Sequence, residues 1–279
     1  MDNTSFMQSR GKAVERSLHE DFSRTILRRF TKALEDFRLT ERGDKIAVCI
    51  SGGKDSMLMS KLFQEKLSHG SEFEAVYLVM DPGYSPENRA AIEKNAEILG
   101  IPVTIFETDI YQSVYNVGDS PCFLCSRMRR GHLYSRAREL GCNKIALGHH
   151  YDDIIETILM SMLYGGQVRT MMPKVKSANY DGMELIRPMY YIREDDIKAW
   201  CVANSLNFIS CACRVTERCN GGDGANGSKR AEIKRLIAQL KETNPQVEGN
   251  IFHSVMNVEL NAIIECKFNN ERHNFLEFY

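Results

Sequence analysis

Hydrophobic residues along the chain fall into short continuous runs that alternate with longer stretches of helical periodicity. The runs predict buried strands, and the periodic stretches predict helices that cover them. The predicted strands are residues 45–50, 73–80, 103–108, 144–148 and 185–187. The predicted helices are residues 18–37, 57–63, 87–99, 122–140, 152–163, 194–204, 229–241 and 247–264.

This alternation predicts an α/β fold with a doubly wound, parallel, five-stranded sheet of the Rossmann-like type. An N-terminal helix precedes the sheet, and a helical C-terminal extension follows it. We expect an N-terminal helical segment at 1–40, an α/β domain at 41–213, and a loop with the helical extension at 214–279. Residues 1 to about 15 are polar and are expected to be frayed.

Composition adds little that is specific. The 279 residues are 43% hydrophobic and 26% charged, as in ordinary soluble globular proteins. The formal net charge of −1 supports no particular charged partner, so any basic surface must be local. No apolar run has membrane-spanning length, and the N-terminus lacks the apolar core of a signal peptide. We therefore expect a cytoplasmic protein that is not associated with a membrane.

The first predicted strand ends at a loop suited to bind phosphate. A strand, a glycine turn and a helix direct backbone N–H groups and the positive end of the helix dipole at an anion. Glycines let the backbone approach a phosphate closely. The loop consists of Ser51, Gly52, Gly53, Lys54, Asp55 and Ser56, with Asp55 a candidate Mg²⁺ ligand or water contact. The Walker A spacing is absent, so γ-phosphate hydrolysis is not indicated.

A second polar segment opens the helix after the fourth predicted strand. The segment contains Gly148 followed by the polar residues His149, His150, Asp152, Asp153 and Glu156. Asp152 or Asp153 is placed to cap the helix or to hold Mg²⁺, and a histidine to contact phosphate or transfer a proton. The alternative is that the carboxylates only complement the helix dipole. Ligands of parallel sheets lie beyond the carboxyl ends of the strands, so this segment, the first loop and Asp81 should share the edge that binds a phosphate-bearing ligand.

The nine cysteines are many for a cytosolic chain. Cys49, Cys142, Cys201 and Cys266 occur singly in apolar or helical contexts and are interpreted as structural. Cys122 and Cys125, joined by Cys211 or Cys213, are candidate metal ligands. Four thiolates suit structural zinc, whereas three leave an open position on a metal or an iron–sulfur cluster. Spacing alone does not distinguish zinc from iron. A thioredoxin-like redox pair is a competing interpretation, but Cys122 and Cys125 do not lie in the βαβ context that such a pair requires.

Three motifs together resemble one enzyme family. The first loop resembles the SGGxDS pyrophosphate loop, and the second segment resembles the motif G-H-x-x-D-D-x-x-E-T. Residues 121–131 read Pro-Cys-Phe-Leu-Cys-Ser-Arg-Met-Arg-Arg-Gly. The combination resembles the tRNA 2-thiocytidine synthetase family of the PP-loop ATP-pyrophosphatase superfamily, from about residue 18 to 213.

The resemblance implies an ATP- and iron–sulfur-dependent tRNA sulfurtransferase. Members of the family use ATP and Mg²⁺ to adenylate the C2 oxygen of an anticodon-loop cytidine and then replace that oxygen with sulfur. They hold a 4Fe–4S cluster through three cysteines. The resemblance implies that the cluster ligands in this chain are Cys122, Cys125 and Cys211. Cys213 is the alternative third ligand, because this chain has Cys-Ala-Cys where the family has C-x-x-C. The implied catalytic residues are Asp55, Asp152, Cys122 and Cys125, and the implied cofactor-binding residues are the 51–56 loop, Asp81, Gly148, His149 and Asp153.

The same resemblance implies partners. RNA contacts are expected from Arg127, Arg129, Arg130 and Lys174, although a solvated helix face is the alternative for the arginines. The expected partners are a tRNA substrate, a sulfur donor such as a cysteine desulfurase or free sulfide, and a second copy in a homodimer. Two other functions fit the residues: the same chemistry on another RNA position, free base or nucleotide, and a non-catalytic ATP- and metal-binding redox sensor.

Overall fold

The computed structural model describes residues 3–110, 121–209, 229–277 and 279, with side chains throughout except at 3–6, 8 and 121–126. The chain divides into two compact units. One unit comprises Met1–Ile154 and Met172–Ala225, and the other comprises Ile155–Met171 and Asn226–Tyr279. The domain boundaries expected at residues 40 and 213 stay a prediction.

The helices and strands follow one another along the chain as predicted for an α/β protein. In order, they are α1 (Asn3–His19), a π-helical turn (Ser23–Leu27), α2 (Arg28–Asp36), β1 (Lys45–Ile50), α3 (Lys54–Ser68), β2 (Glu74–Asp81), α4 (Pro86–Leu99), β3 (Val103–Glu107), α5 (Pro121–Glu139), β4 (Lys144–Ala146), α6 (Tyr151–Gly165), β5 (Lys174–Lys176), β6 (Glu184–Ile186), α7 (Glu194–Ala203), α8 (Lys229–Thr243), α9 (Val247–Ser254), β7 (Glu265–Phe268) and β8 (Glu271–Asn274).

The main sheet has the strand order β3-β2-β1-β4-β6-β5. All of its neighbouring pairs are parallel except β5 with β6. The chain builds outward from β1 through β2 and β3, and then returns to place β4 on the other side of β1. This reversal of direction leaves a crevice at the carboxyl ends of β1 and β4, which is where open α/β sheets bind ligands.

Both faces of the sheet are covered. Alternate residues of β1 point to opposite faces of the sheet, and the residues on the two faces belong to different cores. Ile46, Val48 and Ile50 belong to the larger core, together with residues of α1 to α4 and α7. Ala47 and Cys49 belong to a second core, which includes Tyr134 of α5. The doubly wound α/β prediction is therefore confirmed.

A buried charge cluster holds α1 against the body of the first unit. The ammonium of Lys61, in α3, is 2.7 Å from the Glu15 carboxylate of α1 and 3.3 Å from the Leu99 carbonyl. Val14 and Leu18 of α1 are buried as well. Fraying over residues 1 to about 15 was therefore a wrong prediction from residue 3 onward. Those residues are polar, but the helix that they open is anchored through its later apolar positions.

One strand of the main sheet was not predicted. β5 has only three residues, Lys-Val-Lys, and pairs antiparallel with β6 through the register Val175↔Leu185. A short polar segment gives no periodic signal, and the strand forms because β6 offers an unpaired edge. Short lysine-bearing strands are common at sheet edges, where they prevent pairing with other chains.

The second unit is built from the end of α6, from α8 and α9, and from the β7–β8 hairpin. Arg230 of α8 pairs with Glu156 of α6 at 3.1 Å, and Lys229 lies 4.9 Å from the Tyr164 ring centroid. The predicted helix over 247–264 is shorter than expected, because α9 ends at Ser254. In the described part of the chain, no helix combines the length and the apolar character needed to cross a membrane.

Candidate active site

Ser56 closes the loop that follows β1. The Ser51 amide donates to Ser56 Oγ at 3.1 Å, and the Ser56 hydroxyl donates to the Gly53 carbonyl at 3.0 Å. These bonds fix the turn before any ligand binds. Helix α3 begins directly at Lys54. The first backbone N–H groups of α3 and its positive dipole end are therefore held at the mouth of the crevice, where they favour an anion.

Gly52 must be glycine for two separate reasons. Its φ of +84° lies in the left-handed region, which other residues seldom adopt. A Cβ at this position would also lie 2.6 Å from side-chain atoms of Ile92 and Ile209. Gly53 has an ordinary φ of −78°, and its backbone is extended, as is usual for the residue just before a helix.

The second segment packs directly on the first loop. A Cβ on Gly148 would lie 3.1 Å from the Ser56 backbone nitrogen and 3.2 Å from the Asp55 carbonyl carbon. Only glycine permits this approach without a shift of the backbone. The two motifs, distant in sequence, therefore form a single wall of the crevice.

The two aspartates at the start of α6 have different partners. Asp153 Oδ2 accepts the His150 amide at 3.1 Å, as the third residue of a helix does in a capping box. Asp152 pairs with the Arg193 guanidinium at 3.0 Å and accepts the Glu194 amide at 2.7 Å. Asp152 thus fastens α6 to the beginning of α7, while Asp153 lines the crevice.

The buried ring of His150 lies among three carboxylates from both motifs. Its Nε2 is 3.8 Å from Asp55 Oδ1 and 3.6 Å from Asp153 Oδ2, and its Nδ1 is 3.7 Å from Asp152 Oδ2. Asp55 and Asp153 also line the crevice. Carboxylates that face a phosphate site are the usual protein ligands of Mg²⁺, so these two residues fit that ion.

Lys54 is held by a residue from a third segment. Its ammonium lies 3.0 Å from Asp55 Oδ1 and 3.3 Å from Glu194 Oε1, at the start of α7. Partial burial on its own lowers the pKa of Lys54, but the two carboxylates outweigh burial and raise the pKa overall. Lys54 is therefore fully charged at neutral pH, as a phosphate ligand must be.

The crevice is a cavity of about 440 Å³. Apolar residues from β1, β2 and β4 form part of its lining, and Arg129, Arg130 and Tyr134 of α5 contribute a polar part. The predicted site residues that line it are Ser51, Asp55, Ser56, Gly148, His149, Asp153, Arg129 and Arg130. A cavity with an apolar portion and a polar, cationic rim suits a nucleotide base and its phosphates.

Two predicted site residues are engaged elsewhere. Asp81 accepts the Gly83 and Tyr84 amides at 2.8 and 2.7 Å and pairs with Arg89 at 3.2 Å, so it shapes the turn after β2. The ammonium of Lys174 donates to the Arg38 carbonyl at 3.1 Å and lies 3.1 Å from Glu184. A nucleotide role for Asp81 and an RNA role for Lys174 stay predictions.

The cysteines separate into two groups. Burial raises the pKa of Cys49 to about 12 and that of Cys201 to about 11, so both thiols are protonated and unsuited to bind metal. Cys122 and Cys125 lie near the start of α5, and their side chains are outside the described part of the structure. Cys211, Cys213 and Cys219 lie wholly outside the described residues.

Sequence reasoning missed the residues at the start of α7. Arg193 and Glu194 contact one residue in each motif, Asp152 and Lys54 respectively. Their position in the sequence could have indicated them, because they follow β6 and so lie at the carboxyl edge of the sheet, where parallel sheets place functional side chains.

Comparison with known proteins agrees with this geometry. The PP-loop domain family matches residues 22–216. The tRNA-cytidine(32) 2-sulfurtransferase of Anaeromyxobacter dehalogenans (strain 2CP-C) is 36% identical over 240 residues, covering 84% of this chain and 79% of that protein. The chain belongs to the PP-loop family of tRNA-cytidine(32) 2-sulfurtransferases. The sulfurtransferase of the same name from Coxiella burnetii (strain RSA 493 / Nine Mile phase I) is 36% identical over 245 residues, covering 86% and 92% of the two chains.

A solved structure of a related fold supports the architecture of this PP-loop protein. The U34-tRNA thiolase NcsA from Methanococcus maripaludis, solved with its 4Fe–4S cluster, superimposes with a TM-score of 0.67. The two chains are 22% identical, and the match covers 88% of this chain and 83% of that one. At this identity the likeness establishes a shared fold.

Proposed function

We propose that this PP-loop protein is an ATP-dependent sulfurtransferase that converts cytidine 32 of tRNA to 2-thiocytidine. The observation that carries the proposal is the wall in which Gly148 packs against Ser56 and Asp55, since it joins both family motifs around one cavity. The identity of about 36% to curated enzymes with this activity, over most of the chain, supports the choice of substrate.

Adenylation is the first step that the residues favour. The C2 oxygen of the cytosine attacks the α-phosphate of ATP, the bond from that oxygen to phosphorus forms, and pyrophosphate leaves. Lys54 and the N-terminus of α3 stabilise the negative charge that builds up on the phosphates. Asp55 and Asp153 would hold Mg²⁺, which neutralises the departing pyrophosphate. A pyrimidine oxygen is a poor leaving group, and adenylation makes it a good one.

Sulfur then replaces the activated oxygen. We propose that Cys122, Cys125 and Cys211 hold a 4Fe–4S cluster, with Cys213 as the alternative third ligand. Bound there, the cluster would supply sulfide to C2: a carbon–sulfur bond would form, the bond from C2 to the activated oxygen would break, and AMP would leave with that oxygen. The sequence of α5 supports this assignment, because the helix carries Cys122 and Cys125 near its start and Arg129, Arg130 and Tyr134 in the cavity wall.

Further expectations accompany the proposal. Arg127, Arg129 and Arg130 contact the RNA, and a cysteine desulfurase or free sulfide supplies the sulfur. The enzyme acts in the cytoplasm, where its tRNA substrate is found, and forms a homodimer.

Anaerobic purification followed by a tRNA thiolation assay tests the function. We expect iron and sulfide in near-equal amounts, about four of each per chain for one such cluster. With ATP and a sulfide source, digestion of the tRNA and mass spectrometry should reveal 2-thiocytidine. Stoichiometric zinc without sulfide, or thiolation of a different nucleotide, would contradict the proposal.

A matched pair of lysine variants identifies the phosphate site. Lys54→Ala should retain the iron and sulfide but lose pyrophosphate release, because the charge facing the phosphates is gone. Lys94→Ala removes an exposed lysine on α4 and should behave as the wild type. Unchanged turnover in Lys54→Ala would remove this lysine from the site.

A further inference from the structure

A second depression, outside the ATP cavity, carries four cationic side chains. It lies in the first unit between α5 and the β5–β6 hairpin and has a volume of about 860 Å³. The cations come from Arg127 and Arg130 on α5 and from Lys176 and Arg187 on the hairpin side. Among the described residues that line it, none is a carboxylate. We call this depression the basic groove.

This concentration of charge is unusual for the chain. The whole protein has a formal net charge of −1, whereas the described lining of the basic groove contains four cations and no carboxylate. In the basic groove, Arg187 and Arg130 are close enough to repel one another. Burial is the main cause that lowers the pKa of Arg187, and the charge of Arg130 lowers it further. Asp153 offsets part of this repulsion, but no carboxylate is among the described residues that line the groove, so a bound anion would stabilise the two guanidinium groups.

Arg187 also has an unused donor. One of its terminal nitrogens donates to the Met172 carbonyl, which fixes the guanidinium in place. Its Nε is buried and has no hydrogen-bond partner among the described residues. A buried donor without a partner costs free energy that a bound acceptor would recover.

The two walls of the basic groove are in direct contact with each other. The rings of Tyr134 and Tyr180 stack with their centroids 4.9 Å apart and an interplanar angle of 15°. The Tyr180 hydroxyl donates to the Gly131 carbonyl at 3.0 Å, which ties the hairpin turn to α5. The cations therefore lie on two elements that are joined to each other.

The basic groove adjoins the ATP cavity. Arg130, Tyr134 and Leu185 line both depressions. A nucleotide whose base enters the cavity carries a phosphate on each side. Those phosphates must lie just outside, where the cationic side chains are.

We propose that the basic groove binds the phosphate backbone of the RNA strand next to the nucleotide that enters the ATP cavity, with Lys176 and Arg187 as contacts in addition to Arg127 and Arg130. This inference rests on the proposed function, because it takes the nucleotide in the cavity to be part of an RNA chain. It extends the RNA-binding surface expected from α5 and Lys174 along the β5–β6 hairpin, to Lys176 and Arg187.

Neutralisation of two groove cations that lie outside the ATP cavity tests the inference. The holoenzyme carrying Arg127→Gln and Lys176→Gln is compared with the wild type for binding of unmodified tRNA over a series of salt concentrations. Each lost phosphate contact should reduce the slope of log affinity against log salt by about 0.7, and the pair should weaken binding about 10-fold or more. ATP affinity should be unchanged.

Two control enzymes make the result specific. Arg136→Gln with Lys94→Gln removes the same charge elsewhere, since Arg136 lies on α5 beside Glu139 and Lys94 on α4. It should keep the wild-type salt slope. Arg127→Lys with Lys176→Arg keeps the groove charge and should restore most of the affinity.

The possible failures are distinguishable. A groove variant with wild-type tRNA affinity and slope overturns the inference alone, provided that the wild type binds and thiolates tRNA. A loss of affinity without a change of slope also overturns it, because the lost contact is then not electrostatic. A wild-type enzyme that neither binds nor thiolates tRNA rejects the proposed function and the inference together.

Discussion

The ammonium of Lys54 lies 3.3 Å from the carboxylate of Glu194, so the phosphate loop and the start of α7 are joined by an ion pair. Glu194 is itself 3.0 Å from the Lys198 ammonium one helical turn further along. This chain of charges positions Lys54 before ATP binds. It also means that ATP must compete with Glu194 for the same ammonium.

Glu194→Gln should change the pH dependence of ATP binding. Because Glu194 helps to raise the pKa of Lys54, its removal lowers that pKa, and Lys54 loses its charge at a lower pH. The alkaline limit of ATP affinity should therefore move down, by less than about one pH unit for a partly exposed pair. At neutral pH, the affinity should rise several-fold, because a competing negative charge is gone. Calorimetric titration with ATP over a pH series measures both effects.

Asp195→Asn is the matched control for that experiment. It removes a carboxylate from the next residue of α7, where the side chain is 81% exposed and lies 3.5 Å from Lys198. Its pH profile should match that of the wild type. An equal shift in both variants would show that the effect is a general change of charge and not the Lys54 pair.

Gly52→Ala should destabilise the protein and abolish ATP binding. The left-handed φ costs about 1–2 kcal/mol for a residue with a Cβ, and the contacts with Ile92 and Ile209 add to this. Gly53→Ala is the control, because its φ is ordinary and the nearest atom, Ser51 Oγ, is 3.6 Å from a Cβ. We expect a change within about 0.5 kcal/mol for Gly53→Ala in urea unfolding. Equal losses in the two variants would contradict the geometric reason.

Asp44→Ala should lower stability without affecting the active site. Asp44 and Lys144 form a buried pair at 2.6 Å, with side chains 6% and 4% exposed, near the start of β1 and β4. Removal of the carboxylate leaves the buried Lys144 ammonium with Glu184, at 3.6 Å, as its remaining ion-pair partner, so the cost should be about 3 kcal/mol, at the low end for a broken buried pair. The double variant with Lys144→Met should recover part of this loss. ATP affinity, measured well below the unfolding temperature, should stay at the wild-type value in both.

The same pair should contribute to acid sensitivity. Burial opposes ionisation of Asp44, but hydrogen bonds from Lys144, Asn143 and the Glu41 amide outweigh it and lower the pKa. Stability from this group is therefore fully present above its unfolded pKa of about 3.9 and is lost as the pH falls through the lower folded value. Asp44→Ala should unfold with a weaker dependence on pH below about 4. A pH series of urea titrations checks this slope, and a slope equal to that of the wild type would remove Asp44 as its cause.

Serine variants of the cysteines test the proposed cluster ligands. Cys122→Ser, Cys125→Ser and Cys211→Ser should each lose most of the iron and the visible absorbance, because the proposed cluster has three thiolate ligands. Cys213→Ser and Cys219→Ser should keep both. Iron analysis and visible spectra of anaerobic samples decide the third ligand, and a reversal between Cys211 and Cys213 would correct our assignment.

The fold was predictable wherever burial leaves a clear pattern. β1 is buried on both faces, so its apolar residues form a continuous run. The glycine turn after it can also be recognised from the sequence. β5 was not predictable, since Lys-Val-Lys carries no pattern and becomes a strand only through its pairing with β6. The stability of α1 was also hidden, because it depends on contacts such as Glu15 with Lys61 that link distant segments.

The candidate site shows the same division. Ser51, Asp55, Gly148 and Asp153 lie in local motifs, and the structure brings all four to one cavity. Glu194 belongs to no motif, and its role follows from a contact between segments. Asp81 was assigned by its position after a strand, but a carboxylate at a strand end can equally close its own turn, as this one does.

Trp200 is the protein's single tryptophan, and its ring is fully buried in the main core, stacked on Phe208 with centroids 6.3 Å apart. It lies on α7, the helix that begins at Glu194. All indole fluorescence from this protein therefore originates at one point on the helix that holds the phosphate-loop lysine. Trp200 fluorescence should therefore report on the environment of α7. The emission should change when α7 loosens and stay constant when only surface regions far from α7 change.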